Sequence, residues 1–330
     1  MIFHEGTDLT ETCQQQILNK TSTCRVFHGQ AAVYLIVIFF LGFISGAPVT
    51  GANAAVNSGK SLEKITLQLK WSHQFQFAGY YAAIEKGYYR DAGLEVDLKE
   101  GKPGVNIAEE VVSGRADFGV DMPGLLLERQ KGLPIVILAT IFQHSPEILI
   151  ARKDSGIESP QDLIGRRVEL RPRGSIETQA MLLNEGISLK DIDVIDHSWG
   201  IDALINKRVD ASAGYITDRP FLLDEKGIPY TIIRPITYGI NFYGDCLFTS
   251  EREITEHPER VKAFREASLL GWAYAMENPD EIIDIILDKY NPGLSREFLQ
   301  FEAEATRKLM LPEFIEIGHM NPGRWRHIAD

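Results

Sequence analysis

The largest concentration of side chains suited to ligand binding lies between positions 71 and 81. Five aromatic residues fall within these eleven positions, with amide and imidazole side chains between them. Such a surface suits a flat ring that carries heteroatoms, because stacking supplies contact area and the polar groups fix its orientation. We predict ligand contacts from Trp71, Gln74, Phe75 and Tyr80. The alternative for Tyr80 and its neighbour Tyr81 is burial in the core of a helix.

A second candidate segment, 171–178, reads Arg-Pro-Arg-Gly-Ser-Ile-Glu-Thr, between a predicted strand and a predicted helix. A Gly-Ser turn at a helix start offers free N–H groups and the positive end of the helix dipole. We predict a cradle for an anionic or hydrogen-bond-accepting group at Arg173, Gly174, Ser175 and Glu177. The alternative is an ordinary helix cap with solvated arginines. The segment is not a P-loop, because no Gly-Lys-Ser/Thr follows.

Single polar or aromatic side chains stand where other predicted strands end. Asp121 follows a short apolar run, and Tyr215 and Thr217 follow another. Tyr243 lies in the stretch 238–245, whose turn residues and aromatics are typical of a hinge or a cleft lining. We predict that these four side chains complete the ligand site. The alternative for Asp121 is a helix cap or an ion pair.

Patterns typical of catalysis or metal binding are weak. The histidines after residue 54 show no H-x-x-x-H spacing, and no G-x-S-x-G elbow occurs. Cys246 is the one cysteine after residue 24, so that part of the chain can build neither an intramolecular disulfide nor a cysteine-based zinc site. We therefore predict no catalytic residue, no metal and no cofactor.

Strand and helix patterns alternate along the chain after residue 64. Apolar–polar alternation and short apolar runs predict strands at 65–69, 94–98, 116–120, 135–141, 147–151, 167–170, 193–196, 211–215, 230–233 and 246–249. Helical patterns fall between most of them and fill the chain from Pro258 onward. Such repetition implies crossover connections and mostly parallel sheets.

The alternation predicts two α/β lobes. Lobe one comprises 64–151 and 250–330, and lobe two comprises 152–249, with hinge crossings near Ala151–Ser155 and Cys246–Ser250. Ligands in open α/β sheets bind beyond the carboxyl ends of the strands. We therefore expect the site in a cleft between the lobes, closed by the hinge.

The first 54 residues have the order of an export signal. Fourteen apolar residues, 31–44, follow Lys20 and Arg25 and precede small residues that end in Ala-Asn-Ala at 52–54. Fourteen are fewer than the ~20 residues that span a bilayer comfortably. We predict a cleaved signal peptide. The alternatives are an uncleaved membrane anchor, a start codon placed too far upstream and a buried core helix. Whether the segment is a cleaved signal or an uncleaved anchor, we expect the body of the protein to be exported to a periplasmic or extracytoplasmic location.

Composition excludes several classes of protein. The 330 residues correspond to about two domains, and 44% apolar with 24% charged residues is ordinary for a globular chain. The net charge of −12 makes nucleic acid a poor partner, because phosphate neutralisation needs a basic surface.

Three segments resemble a known superfamily: LKWSHQFQFAGYYAAIEKGYYRDAGLEV, SGRADFGV and FTSEREITEHPERVKAF. In this order they resemble the sulfonate-binding proteins and the thiamine-pyrimidine synthase, over about residues 63–328. The resemblance implies a type II periplasmic-binding-protein fold, with two lobes around a ligand cleft. It also implies one of two activities, which are capture of small molecules for an ABC importer or synthesis of the thiamine pyrimidine from pyridoxal phosphate and a histidine of the enzyme, with iron.

Residues that the synthase requires are replaced in this chain. The synthase has a Lys and a His four residues apart, and the matching positions here are Asp121 and Leu125. Its cysteine-rich cluster is reduced here to Cys246. Without the amine no Schiff base forms with pyridoxal phosphate, and without the imidazole no histidine can be donated.

We therefore predict a periplasmic solute-binding protein that has no enzymatic activity. Its ligand is a small ring, with a thiamine-precursor pyrimidine as the first candidate, and its partner is an ABC importer permease or a membrane sensor module. The alternatives are the synthase, which alone would need pyridoxal phosphate and iron, and the ectodomain of a truncated sensor kinase or cyclase. An uncleaved N-terminal segment would attach the protein to the membrane.

Overall fold

The predicted alternation of strands and helices is confirmed. The computed structural model describes residues 61–102, 104–171, 175–196, 198 and 200–329. Its strands are β1 (Glu63–Gln68), β2 (Leu94–Lys99), β3 (Phe118–Asp121), β4 (Ile135–Phe142), β5 (Glu147–Arg152), β6 (Arg167–Leu170), β7 (Asp193–Asp196), β8 (Ala211–Tyr215), β9 (Tyr230–Ile233) and β10 (Gly244–Ser250).

Helices occupy most of the segments between the strands and the C-terminal part of the chain. They are α1 (Ala78–Glu85), α2 (Tyr88–Asp91), α3 (Ile107–Val112), α4 (Leu125–Gln130), α5 (Ile176–Asn184), α6 (Asp202–Ile205), α7 (Arg219–Asp224), α8 (Glu251–Glu256), α9 (Pro258–Glu277), α10 (Pro279–Ile285), α11 (Arg296–Met310) and α12 (Pro322–Ala329). A 3₁₀ turn, Phe75–Phe77, precedes α1, and a π-helical turn, Ile286–Tyr290, continues α10.

The strands form two five-stranded sheets, one in each lobe. The order is β2-β1-β3-β10-β4 in lobe one and β7-β6-β8-β5-β9 in lobe two. Parallel pairs join β1 to β2 and β3, and β6 to β7 and β8. Two strands run against their neighbours, β10 in lobe one and β5 in lobe two. The sheets are therefore mixed rather than mostly parallel, because each strand that enters from the other lobe arrives in the opposite direction.

The two crossings lie one strand earlier in the chain than predicted. The chain leaves lobe one between Phe142 and Glu147, and it returns between Tyr238 and Gly244. The predicted boundaries, near Ala151–Ser155 and Cys246–Ser250, are corrected accordingly. The polar break after β5 resembled a crossing, but a strand buried on both faces carries no pattern that assigns it to one sheet or the other.

Lobe one is held together by a close approach between α1 and α9. A Cβ atom at Gly271 would lie 2.1 Å from the carbonyl oxygen of Gly79, so both helices need glycine where they touch. The fully buried ring of Trp272 packs edge-on to Tyr80, at a centroid distance of 5.8 Å. Tyr80 is therefore a core residue of this helix pair.

The predicted export segment, 1–54, lies outside the described residues. Among the helices of the described chain, none combines the length and the apolar character needed to cross a membrane.

We predict that Gly271→Ala destabilises the protein. The added methyl group must displace the backbone of α1, and such overpacking costs about 1–3 kcal/mol. Chemical unfolding should show this loss, whereas Gly293→Ala should change the free energy of unfolding by less than about 0.5 kcal/mol, because its Cβ would meet only an asparagine oxygen at 3.4 Å. Equal stability of the two variants would contradict the close helix contact.

Candidate functional site

A small pocket, which we call the interlobe pocket, lies where strands of both lobes end. It is lined by Lys70, Trp71, Gln74, Gln76, Arg171, Gly214, Tyr215, Asp218 and Arg219, and its cavity measures about 20 Å³. The four residues from lobe one, Lys70 to Gln76, follow β1. In lobe two, Arg171 follows β6, and the other residues lie at the end of β8 or just after it. This is the position at which open α/β sheets bind ligands, beyond the carboxyl ends of their strands.

A larger cavity of about 400 Å³ opens on lobe one between α10 and α11, near Met276 and Arg307. Its lining comes from one lobe only and includes no strand end. The interlobe pocket is the better candidate, because its polar and aromatic side chains converge from both lobes.

Lys70 is the most connected side chain of the interlobe pocket. Its ammonium pairs with the carboxylate of Asp245, donates a hydrogen bond to the Tyr215 hydroxyl at 2.8 Å and lies 3.2 Å from the sulfur of Met122. The Lys70 side chain is 6% exposed and that of Asp245 is 2% exposed. A lysine buried to this degree needs a partner charge, which Asp245 supplies.

Two glutamines extend this network along the turn after β1. Gln76 donates from its side-chain nitrogen to the second oxygen of Asp245 at 2.9 Å, and Gln74 donates to Gln76 at 3.2 Å. Asp245 has a φ of 46°, in the left-handed region that asparagine and aspartate enter more readily than most residues. The network fixes the polar floor of the pocket before any ligand arrives.

The aromatic walls come from opposite lobes and share one guanidinium. The Arg171 guanidinium lies 5.8 Å from the ring centroid of Trp71 in lobe one and 5.7 Å from that of Tyr215 in lobe two. Its Nε is buried, and no hydrogen-bond partner reaches it within the described part of the chain. Arg171 therefore offers a donor to a ligand held between the two rings.

Two carboxyl groups near the pocket are partly buried, and burial changes their proton affinity. Burial raises the pKa of Asp121 above its ordinary value, and the nearby charge of Lys70 opposes that rise. Burial likewise raises the pKa of Asp218, whose carboxylate lies 3.8 Å from the Arg219 guanidinium. Burial therefore makes both carboxyl groups bind a proton more readily than an exposed aspartate does.

A buried pair of carboxyls stands at the first crossing. Glu147 opens β5 and accepts hydrogen bonds from the backbone nitrogen of Thr178 at 2.9 Å and from its hydroxyl. Glu177 accepts from Ser145, which lies within the crossing itself, at 2.9 Å. Burial raises the pKa of both groups, and the neighbouring Glu147 carboxylate raises that of Glu177 further. The pair therefore holds a proton at pH values where an exposed glutamate has lost it.

The structure brings three of the predicted site residues to the pocket lining, namely Trp71, Gln74 and Tyr215. Asp121 lies near Lys70, as its charge interaction indicates. Thr217 is buried, and its hydroxyl has no hydrogen-bond partner among the described residues. Arg173 and Gly174 lie outside the described residues.

Other predicted site residues hold the structure around the pocket rather than line it. Phe75 is fully buried, and its backbone nitrogen donates to Glu302 of α11 at 2.8 Å. The buried ring of Tyr243 lies 5.1 Å from that of Trp325. The hydroxyl of Ser175 accepts from the backbone nitrogen of Arg171 at 3.1 Å. Glu177 belongs to the carboxyl pair at the crossing.

The sequence prediction missed several side chains of the interlobe pocket. The pocket also uses Lys70, Gln76, Arg171, Asp218, Arg219 and, behind Lys70, Asp245. Lys70 directly precedes the aromatic-rich segment, Gln76 lies within it, and Arg171 begins the predicted cradle. Their positions directly after β1 and β6 were the available clue, because strand ends face the cleft.

Two mixed α/β sheets, joined by two crossings and enclosing a pocket at their strand ends, define a protein with the fold of the periplasmic binding proteins. The alkanesulfonate-binding protein SsuA of Xanthomonas axonopodis pv. citri has the same fold. It superposes with a TM-score of 0.60 at 15% identity, over 75% of this chain and 85% of that one.

The chain belongs to the NMT1/THI5-like family, whose model matches residues 74–282. A riboflavin-binding protein, RibY, of Chloroflexus aurantiacus is 29% identical over 77% of this chain and 75% of its own. A formylaminopyrimidine-binding protein of Halalkalibacterium halodurans is 26% identical over 69% and 71%. A 4-amino-5-hydroxymethyl-2-methylpyrimidine phosphate synthase of Legionella pneumophila is 29% identical over 70% and 75%.

We predict that the carboxyl pair makes stability depend on pH. Because the folded pKa of Glu177 is raised, its contribution is fully present below the ordinary carboxyl pKa of about 4.3 and is lost as the pH rises through the folded value. Urea unfolding of the wild type should show falling stability from pH 5 to pH 8. Glu177→Gln keeps the shape without the titration and should make the stability fall less between these two pH values.

The matched control is Glu225→Gln, an exposed glutamate of the same lobe. It should leave the slope unchanged. If Glu177→Gln and Glu225→Gln keep the same slope as the wild type, Glu177 does not hold a proton in the folded protein.

Proposed function

We propose that the protein captures a small planar ring in the interlobe pocket and delivers it to an ABC importer. The observation that carries this proposal is the placement of Trp71 and Tyr215 on opposite lobes, with the Arg171 guanidinium close to both rings. Two rings that approach from opposite lobes can sandwich a flat ligand, and the flanking cations can orient its polar edge.

The relatives support a ligand of this kind. Two of them are named for binding riboflavin and a formylaminopyrimidine, both of which contain flat nitrogen heterocycles. A pyrimidine precursor of thiamine or a flavin would fit the same requirement for stacking and edge-on hydrogen bonds. Export by the N-terminal segment, and a permease as the partner, complete the proposal.

The synthase is the second candidate, because a synthase from Legionella pneumophila is 29% identical to this chain. Two residues argue against it. The positions that match its Lys and His are Asp121 and Leu125, and Leu125 is buried in an apolar cluster with Cys246. Leucine has no imidazole to donate, so we infer binding without synthesis. Loss of a histidine from the chain after incubation with pyridoxal phosphate and iron would reverse this inference.

Calorimetric titration of the purified chain tests the ligand class. The panel is riboflavin, formylaminopyrimidine, 4-amino-5-hydroxymethyl-2-methylpyrimidine, an alkanesulfonate and pyridoxal phosphate. We expect micromolar or tighter binding of a flavin or a pyrimidine. Heat from the alkanesulfonate alone, or from no compound, would contradict the proposal.

We predict that Trp71→Ala weakens the binding of that ligand. Loss of one stacking partner costs about 0.5–1.5 kcal/mol beyond the lost contact area, so the Kd should rise about tenfold or more. Trp325→Ala is the matched control, since Trp325 packs on Tyr243 away from the pocket lining. Circular dichroism verifies that both variants fold. Equal affinities of the two variants would remove Trp71 from the site.

A further inference from the structure

The hydrogen-bond donors of the Lys70 ammonium have acceptors of unequal strength within the protein. An ammonium carries three N–H donors. One is directed to the Asp245 carboxylate and one to the Tyr215 hydroxyl, whereas the third contact is the Met122 sulfur, which is a weak acceptor. Lys70 therefore has one strong acceptor from each lobe.

These two acceptors behave differently when the lobes separate. Asp245 stands on β10, in the same sheet as β1, whereas Tyr215 ends β8 of the other sheet. Opening at the hinge therefore keeps the Lys70–Asp245 pair and breaks the Lys70–Tyr215 hydrogen bond. An open cleft presents a charged, partly unsatisfied donor on the floor of lobe one.

A ring can enter only after that bond breaks. The closed cavity of about 20 Å³ is close to the ~10–15 Å³ that one water needs, and small-molecule pockets measure about 300–1,000 Å³. The ligand must therefore part Lys70 from Tyr215, which lie 2.8 Å apart. A buried donor left without an acceptor is costly, so the ligand has to supply the acceptor that Tyr215 gives up.

On the basis of the proposed function, we propose that Lys70 is the specificity-determining residue of the interlobe pocket. It selects planar rings that carry a hydrogen-bond acceptor, a carbonyl oxygen or a ring nitrogen, on the edge that faces lobe one. The Tyr215 hydroxyl occupies this acceptor position in the structure, so it competes with the ligand for Lys70. Arg171 receives a second acceptor or an anionic group from the side of lobe two.

Variants of Lys70 and Tyr215 test whether Lys70 anchors the ligand or only forms a contact between the lobes. Lys70→Met combined with Asp245→Asn removes the donor and its counter-charge together, so that no buried charge is left unpaired. Asparagine also tolerates the left-handed backbone at position 245. Tyr215→Phe keeps the stacking ring and removes only the competing hydroxyl. Lys86→Met, which removes a lysine on the solvent-facing side of lobe one that pairs with Glu281, is the control.

Binding is measured by calorimetry on the full chain, with riboflavin and 4-amino-5-hydroxymethyl-2-methylpyrimidine as probes. For the probe that binds the wild type, we expect the Kd of K70M/D245N to rise at least about tenfold and that of Y215F to fall about two- to tenfold. Lys86→Met should bind as the wild type does. Thermal unfolding verifies that each variant folds.

The ratio of the two Kd values decides the proposal. A ratio of K70M/D245N to Y215F above about twentyfold supports Lys70 as the anchor, and a smaller ratio overturns it while leaving the proposed function intact. If neither probe binds the wild-type protein, the proposed function fails and the role of Lys70 falls with it.

Discussion

The return of the chain into lobe one as the antiparallel strand β10 is the constraint on which the pocket depends. This strand lies between β3 and β4, and it places Asp245 beside the end of β1. The carboxylate of Asp245 is what allows Lys70 to be buried at the floor of the pocket. Without a strand that enters from the other lobe, the turn after β1 would carry an unpaired cation. The same strand therefore completes the crossing between the lobes and supplies the carboxylate of the polar floor.

Under the proposed function, the same topology links ligand capture to lobe closure. Lys70 and Trp71 belong to lobe one, whereas Arg171 and Tyr215 belong to lobe two. A ligand that contacts both sets gains its full interaction energy only in the closed state, so binding shifts the population toward closure. Lys70 and Tyr215 already form a hydrogen bond across the lobes, so a ligand that takes this place is measured against this internal competitor. The measured affinity then reports the contacts that the ligand makes minus the Lys70–Tyr215 contact that it replaces.

Strand positions, the two-lobed architecture and the aromatic segment after β1 could be predicted from the sequence, because alternation and turn residues are local properties. The identity of the lobe that contains β5 or β10 could not, since it is decided by long-range pairing. Lys70 was missed because an isolated lysine normally indicates a solvated surface, and its burial depends on Asp245, 175 positions away. Phe75 and Tyr80 were assigned to the site because aromatic type alone does not distinguish a stacking wall from a core residue, whereas the contacts with Glu302 and Trp272 do.

Binding and synthesis occur on the same fold within this family, so the side chains of the pocket must separate them. A lysine that forms a Schiff base has to present an unprotonated amine to a carbonyl carbon. Lys70 is instead held in an ion pair with Asp245 and donates a hydrogen bond to the Tyr215 hydroxyl, so its nitrogen is directed at acceptors of the protein itself. The resemblance to the synthase matches Asp121 to the position of its amine, and Asp121 adds a second carboxyl near the same cation. This charge arrangement supports the proposed recognition of acceptors on an intact ring, and the contrast with the synthase rests on Asp121, which ends β3, and Leu125, which begins α4.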